Sequence, residues 1–377
     1  MNCSENDNLP VERLLAVNLN YLGDALFTTP ALSALRTRFP NARIDVLAGT
    51  RAAAILSGHP AVDRLILRPP HGGLGRAATL SRTLREGRYD MAVLFQSTLS
   101  NAALAWTAGV PRRIGFSQEG SAPLLTGVVA PCRPGEHVVD AYNRLAQAAT
   151  GEPVTAPRLS IAVTPAEEEF VEALLRDREV APPVVGLVIG ATRPQKRWPE
   201  DYWVRLADRL WHSAGVCSVL LGGPEETEAA QRILSEARSP LVSVVGQTTE
   251  KELAALVARL GVVVSGDSGP LHIATAMATP VVALFGSTDP GETGPWQPPL
   301  GPVAPTTVLY DAFACAPCRK EPICEGRFDC LRALTPERVY TAVCDLLGVP
   351  SHHAVLPMVP ATTTIASAPT GLIGGER

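Results

Sequence analysis

Lysine is almost missing from this chain. Among 377 residues, 33 are lysine or arginine, and only Lys196, Lys251 and Lys320 are lysine. In so arginine-rich a composition, a lysine kept inside a glycine-bearing loop, as Lys196 is, suggests a need for a compact point charge rather than a planar fork. Positive charge is not in surplus either. A formal net charge of -4 excludes the global basic footprint of a nucleic-acid binder, so an anionic ligand has to be met by a local cluster. No run approaches the ~20 apolar residues of a membrane span. The opening MNCSENDNLPVER is polar and acidic, without an apolar signal segment. These absences lead to the expectation of a soluble cytoplasmic protein whose eight cysteines are reduced thiols.

What is present reads as alternating strands and helices. The length exceeds the ~250 to 300 residues at which one core stops growing, which predicts two domains. From residue 13 to 161, LLAVNL, a helix over 25–38, ARIDVLAG, a short AAAILSG helix, RLILR, a TLSRTLREG helix and DMAVLF predict a parallel sheet wrapped by helices. Residues 162–183 form a connecting helix with a capping box, Thr164 and Glu167, followed by an APP hinge. Residues 184–347 repeat the alternation, with a second capping box at Thr249 and Glu252. They include a Cys-rich loop at 315–330 and a helix opened by Thr335-Pro336. Residues 1–12 read as a polar leader and 348–377 as a disordered tail.

Three corners carry the chemistry. In NLNYLGDALF, Asp24 sits where an apolar strand turns into a helix; as a helix cap it accepts backbone N–H bonds, and as a general base it takes a proton at a cleft. In GATRPQKRWP, Thr192, Arg193, Lys196 and Arg197 gather three cations and a hydroxyl at a strand end, which suits a phosphate-bearing ligand. In SGDSGPLH, the small residues Ser268 and Gly269 open a helix to an anion; Asp267 binds a ligand hydroxyl or caps, and His272 donates to a phosphate or packs. The GDSG string lacks the all-β setting of a serine protease. Gly73, Gly75 and Ala78 lack the strand and acidic partner of a dinucleotide motif. Cys315, Cys318, Cys324 and Cys330 are a possible structural metal site, though not at a standard finger spacing; no metal is assigned to the chemistry.

The strings NYLGDALFTTPAL, GATRPQKRWPEDYW, LLGGPEE and SGDSGPLHIATAMATPVVALFGSTDP, in this order over residues 14–347, resemble the bacterial heptosyltransferases of glycosyltransferase family nine, notably the heptosyltransferase II-like members. The loop beginning CAPCRKEPIC is similar to one found in some of them. That resemblance implies a GT-B fold: two Rossmann-like domains with the acceptor on the first and an ADP-sugar on the second. It implies inverting transfer of heptose from ADP-heptose to a lipopolysaccharide inner-core acceptor, a glycolipid at the inner-membrane surface, without cofactor or divalent metal. Carried over, Asp24 is the base, Thr192 and Lys196 hold the diphosphate, Glu225 contacts the ribose, and Asp267, Ser268, Gly269 and His272 cradle the pyrophosphate. Gly23, Arg112, Arg113 and His137 are candidates for an anionic acceptor. The expected protein is a monomer peripherally associated with the inner membrane. A nucleotide-sugar isomerase or hydrolase and a non-catalytic nucleotide-binding paralogue are the competing readings.

Overall fold

The computed structural model describes residues 10–18, 22–68, 74–155, 158–180, 182–299, 303–319 and 321–350. Most of the polar leader, the tail beyond residue 350, Gly73 of the glycine pattern, Lys320 and Ala181 of the hinge lie outside the described residues.

The first half runs β1 (Arg13–Asn18), α1 (Leu22–Phe27), α2 (Thr29–Arg38), β2 (Arg43–Ala48), α3 (Thr50–Leu56), β3 (Arg64–Leu67), α4 (Leu74–Gly87), β4 (Met91–Leu94), α5 (Leu99–Thr107), β5 (Arg112–Phe116), β6 (Gly127–Val129) and α6 (Val138–Thr150). α7 (Pro165–Asp177) connects it to the second half. That half runs β7 (Val184–Val188), α8 (Glu200–Ala214), β8 (Cys217–Leu221), α9 (Thr227–Glu236), β9 (Leu241–Ser243), α10 (Glu250–Val257), β10 (Val262–Gly266), α11 (Gly269–Ala276), β11 (Val281–Phe285), α12 (Pro290–Thr293), β12 (Thr306–Tyr310), α13 (Asp329–Arg332) and α14 (Pro336–Leu347).

Each half builds one parallel sheet, in the orders β3-β2-β1-β4-β5-β6 and β12-β11-β10-β7-β8-β9. Counted within each half, these are the same doubly wound Rossmann order. Two such halves facing one another are the GT-B architecture. The strands VVGLV and VVVSG are buried at every position, as a sheet covered by helices on both faces requires. In this topology ligands sit at the carboxyl ends of the strands where the order reverses: between β1 and β4 in the first sheet, and between β7 and β10 in the second.

The sequence reading needs local correction. The single helix expected over 25–38 is two, α1 starting at Leu22 and α2 at Thr29, broken at Thr28. The Thr28 hydroxyl donates to the Ala25 carbonyl and accepts from Asn18 Nδ2, both at 2.7 Å. Both predicted capping boxes form: the Thr164 and Thr249 amides donate to Glu167 and Glu252 at 2.6 and 2.7 Å. α7 packs on α10, where Arg259 pairs with Glu172 at 2.7 Å, so the connecting helix lies on the second half.

One buried histidine makes the first half sensitive to acid. His59, 2% exposed, stands within hydrogen-bond reach of Ser160 through Nε2 and accepts from the Ala61 amide through Nδ1. Burial lowers its pKa from 6.5 to about 4. In the folded chain this imidazole therefore stays neutral while in the unfolded chain it takes up a proton, so stability falls as pH drops from about 6.5 toward 4, by up to ~3 kcal/mol. Urea unfolding across this window is expected to show that loss, and His59→Gln to lack it; an equal slope in both proteins would contradict the assignment.

Candidate active site

The second sheet reverses its order between β7 and β10, and a partly buried ion pair spans that point. β7 leads into a loop that ends in the short 3-10 turn Pro194–Lys196, and β10 ends in Gly266 before Asp267. Lys196 Nζ lies 2.6 Å from Asp267 Oδ2. The same oxygen accepts from Thr288 Oγ1 at 2.7 Å, with Thr293 Oγ1 at 3.5 Å, while His272 Nε2 is 3.8 Å from Oδ1. Burial alone would raise the Asp267 carboxyl, but His272 and the Lys196 charge outweigh it and hold it well below the usual carboxylate range. Asp267 is thus a fixed anion that sets the place of the Lys196 ammonium. Lysine has three N–H donors, so one bond to Asp267 leaves others for a phosphate.

The loop can lie this close only because position 266 is glycine. A Cβ there would stand 2.7 Å from the Lys196 carbonyl oxygen, a backbone atom that cannot rotate away. Gln195, 6% exposed, fastens the loop from the other side by donating to the Arg319 carbonyl at 2.9 Å. Arg197 serves the loop as well, donating to the Ala191 carbonyl at 2.9 Å and facing Glu226 at 3.7 Å. Of the three cations expected at a ligand, Arg197 is therefore structural. Thr192 is exposed beside them.

Asp267 does not cap α11, as one sequence reading had it. The N-cap is Ser268, whose hydroxyl makes no cap bond and instead lies 3.0 Å from Ser265 Oγ. Gly269 and His272 lie on α11, where they meet α1 of the first half. A Cβ on Gly269 would come within 2.6 Å of Leu22, and one on Gly23 within 3.0 Å of His272. The His272 ring packs on Phe27 at 4.4 Å between centroids, and its buried Nδ1 has no hydrogen-bond partner among the described residues. Asp24, half-buried, follows Gly23 in the first turn of α1, so the two opposed corners converge at this helix contact. Because α1 begins at Leu22, Asp24 lies inside the helix and is not its N-cap.

Glu225 and Glu226 divide their tasks. Glu226 accepts from the Gly223 amide at 2.9 Å, whereas the Glu225 side chain is 67% exposed and lies 4.0 Å from Arg51 of α3. Glu225 therefore remains open toward the first half.

Other candidates fall elsewhere. Arg112 and Arg113 start β5, at the amino end of the first sheet, opposite the carboxyl ends that carry the site. The Arg113 guanidinium donates to the carbonyls of Leu124, Val110 and Pro111. The structure does not bring this pair to the cleft. His137 does reach the second half. Its Nδ1 accepts from the Val139 amide and its Nε2 donates to the Gly294 carbonyl at 3.1 Å, and burial lowers its pKa, so it acts as a neutral clasp.

The four loop cysteines line one cavity of about 30 Å³ with Gln195 and Ser287. Burial pushes the Cys318 and Cys330 thiols up. Among the described residues, no group of three or more His, Cys, Asp or Glu side chains is arranged to hold a metal.

Sequence reasoning missed Thr288, Thr293 and Gln195, whose roles exist only through contacts far along the chain. It also missed Asn18, at the carboxyl end of β1, fully buried with Oδ1 unpartnered among the described residues.

Comparison with known proteins gives one consistent result. The model of glycosyltransferase family 9 (heptosyltransferase) matches residues 77–326. Lipopolysaccharide heptosyltransferase 2 of Escherichia coli is 30% identical over 356 residues, covering 89% of this chain and 98% of that protein. A family 9 glycosyl transferase from Veillonella parvula superposes with a TM-score of 0.80 at 25% identity, covering 89% and 97%. The E. coli ADP-heptose lps heptosyltransferase II gives 0.74 at 26%, covering 89% and 98%.

The glycine at 266 supplies a direct test of the ion-pair geometry. Gly266→Ala is expected to lower unfolding stability by about 1–3 kcal/mol, because backbone has to shift. Gly75→Ala, in α4 with open space around it, is expected to be neutral or mildly stabilising. Urea titrations compare the two, and equal stability would reject the close approach.

Proposed function

The chain belongs to glycosyltransferase family 9, the heptosyltransferases, and on that premise we propose that it transfers heptose with inversion from ADP-heptose to a lipopolysaccharide inner-core acceptor. The observation that carries the reading is the meeting of α1 and α11, which sets the Asp24 corner of one half against the Lys196–Asp267 corner of the other. The similarity to an ADP-heptose transferase supports the choice of donor.

In the proposed reaction the Asp24 carboxylate takes the proton of an acceptor hydroxyl. The acceptor oxygen attacks the anomeric carbon from the face opposite the diphosphate; the new carbon–oxygen bond forms as the bond to phosphate oxygen breaks, and ADP leaves with that electron pair. Negative charge grows on the departing diphosphate, where a preorganised cation contributes more than it would in water. Lys196 supplies that charge, held in place by Asp267. Thr192, the backbone of Ser268 and Gly269, and His272 complete the diphosphate cradle, and the exposed Glu225 meets the ribose. Gly23 lets α1 approach His272 of α11 and so keeps the acceptor corner close to the diphosphate cradle. Charge neutralisation is thus assigned to the chain itself, without a divalent metal. The acceptor is a membrane-anchored glycolipid, so the protein works at the cytoplasmic leaflet.

Two substitutions separate the halves of this mechanism. Lys196→Ala is expected to lower turnover by about 10² to 10³, and Lys196→Arg to recover only part, since a planar fork does not replace a compact ammonium. Wild-type turnover by Lys196→Ala under saturating ADP-heptose would defeat the phosphate assignment. Asp24→Asn keeps the shape but cannot accept the proton, so kcat is expected to fall by roughly 10² to 10⁴ while ADP-heptose affinity, measured by calorimetry, stays constant. Normal transfer to a heptose- or Kdo-terminated lipid by folded Asp24→Asn would remove Asp24 from the mechanism.

A further inference from the structure

α5, LSNAALAWT, carries no charge, yet part of it faces outward. Its inner face is Asn101, Ala102 and Ala105, packed on the first sheet. Leu99, Ala103 and Trp106 fall at i, i+4 and i+7, a single stripe on the flank of the helix, beside the exposed hydroxyl residues Ser100 and Thr107. Leu99 is 50% exposed and Trp106 56%. Most exposed helix faces are polar; this one presents an indole and an isobutyl group about 10 Å apart along the helix.

Guanidinium groups of α4 flank one end of the stripe. At its carboxyl end Arg85 of α4 donates to the Thr107 carbonyl at 2.6 Å, beside Trp106. Arg68 turns the other way, donating to the inward Asn101 Oδ1 at 2.6 Å, while Leu67 before it, at the end of edge strand β3, is 57% exposed. Arg82, one turn before Arg85, is exposed as well. An uncharged apolar stripe with an exposed tryptophan, flanked by the exposed Arg82 and Arg85, has the composition of a surface that enters the headgroup region of an anionic bilayer. A second copy of the chain fits it less well, since a two-fold contact would bring the same arginines of both copies to one interface.

We propose that the α4–α5 face docks this protein on an anionic phospholipid surface. No helix among the described residues is long and apolar enough to cross a membrane, so a docking face is the means of attachment these residues offer. The amino end of the stripe follows the carboxyl end of β4, on the edge of the sheet that faces the cleft. A chain docked this way holds the acceptor corner near the lipid, which rests on the reading of a membrane-anchored acceptor given above.

The test is flotation of the full chain with phosphatidylcholine vesicles and with vesicles of equal phosphatidylcholine and phosphatidylglycerol. Wild type is expected to float with the anionic vesicles and to be released by salt. The double substitution Leu99→Ser with Trp106→Ser is expected to weaken binding at least about tenfold, Arg82→Gln about fivefold, and Trp106→Phe to retain most of it. Turnover of a water-soluble, deacylated acceptor is expected to be unchanged in all three. Vesicle binding that is indifferent to these substitutions would overturn the proposal, as would a wild-type dimer in solution that the double substitution dissociates. If wild type turned over no acceptor at all, the transferase reading would fail, while flotation would still decide the docking face.

Discussion

The ion pair between Lys196 and Asp267 is the constraint around which the second half is arranged. Moving a carboxylate and an ammonium out of water costs several kcal/mol per ion, and the attraction between them offsets that only when the remaining lone pairs and protons are also satisfied. Asp267 is 7% exposed, and the hydroxyls of Thr288 and Thr293 supply part of that satisfaction. Gly266 permits the approach, and Gln195 holds the lysine's loop against the Cys-rich loop. The pair also lies at the point where neighbouring strands lead their chains apart, so the fold provides a crevice there without any further adaptation.

The segment that satisfies Asp267 also joins the two halves. Between Thr288 and Trp296 the chain gives two hydroxyls to Asp267, then offers the Gly294 carbonyl to His137 and the Trp296 indole to Asp140 at 3.3 Å. Glu292 pairs with Arg319 of the Cys-rich loop at 2.7 Å and accepts from the Gly135 amide at 3.3 Å. A change at the anion corner can therefore reach α6 through one short stretch of chain. The cysteine loop gains a physical role from the same contacts: through Arg319 it braces the lysine loop and the domain contact together, whatever its thiols do.

Two sheets of identical strand order carry different chemistry because different loops leave their carboxyl ends. In the first half, β1 passes into a helix with a carboxylate in its first turn. In the second, β7 and β10 pass into a lysine loop and a small-residue corner. The close packing of α1 on α11 requires glycine on both sides, at Gly23 and Gly269, and this sets how near the two chemistries come.

The sequence alone determined most of the alternation of elements, though not α5, β5, β6 and α6 after DMAVLF, together with the duplication of the α/β pattern and the three corners, because these depend on local periodicity, caps and strand-to-helix turns. Thr164, Thr249 and Thr335 could be read as helix starts from the residues within three positions of them. It also singled out Lys196, by its rarity. Only the tertiary structure decided which candidates share a site. Arg112 and Arg113 looked as suitable as His137 until β5 put them at the wrong end of the sheet. Asp267 read as a cap or a ligand group until Lys196, 71 residues away in sequence, was found on its carboxylate. Thr288 and Thr293 bear no local mark at all. A charge cluster in sequence states what a surface could bind, but the direction of each strand and the packing of each helix decide where that charge points, and no window of a few residues contains that information.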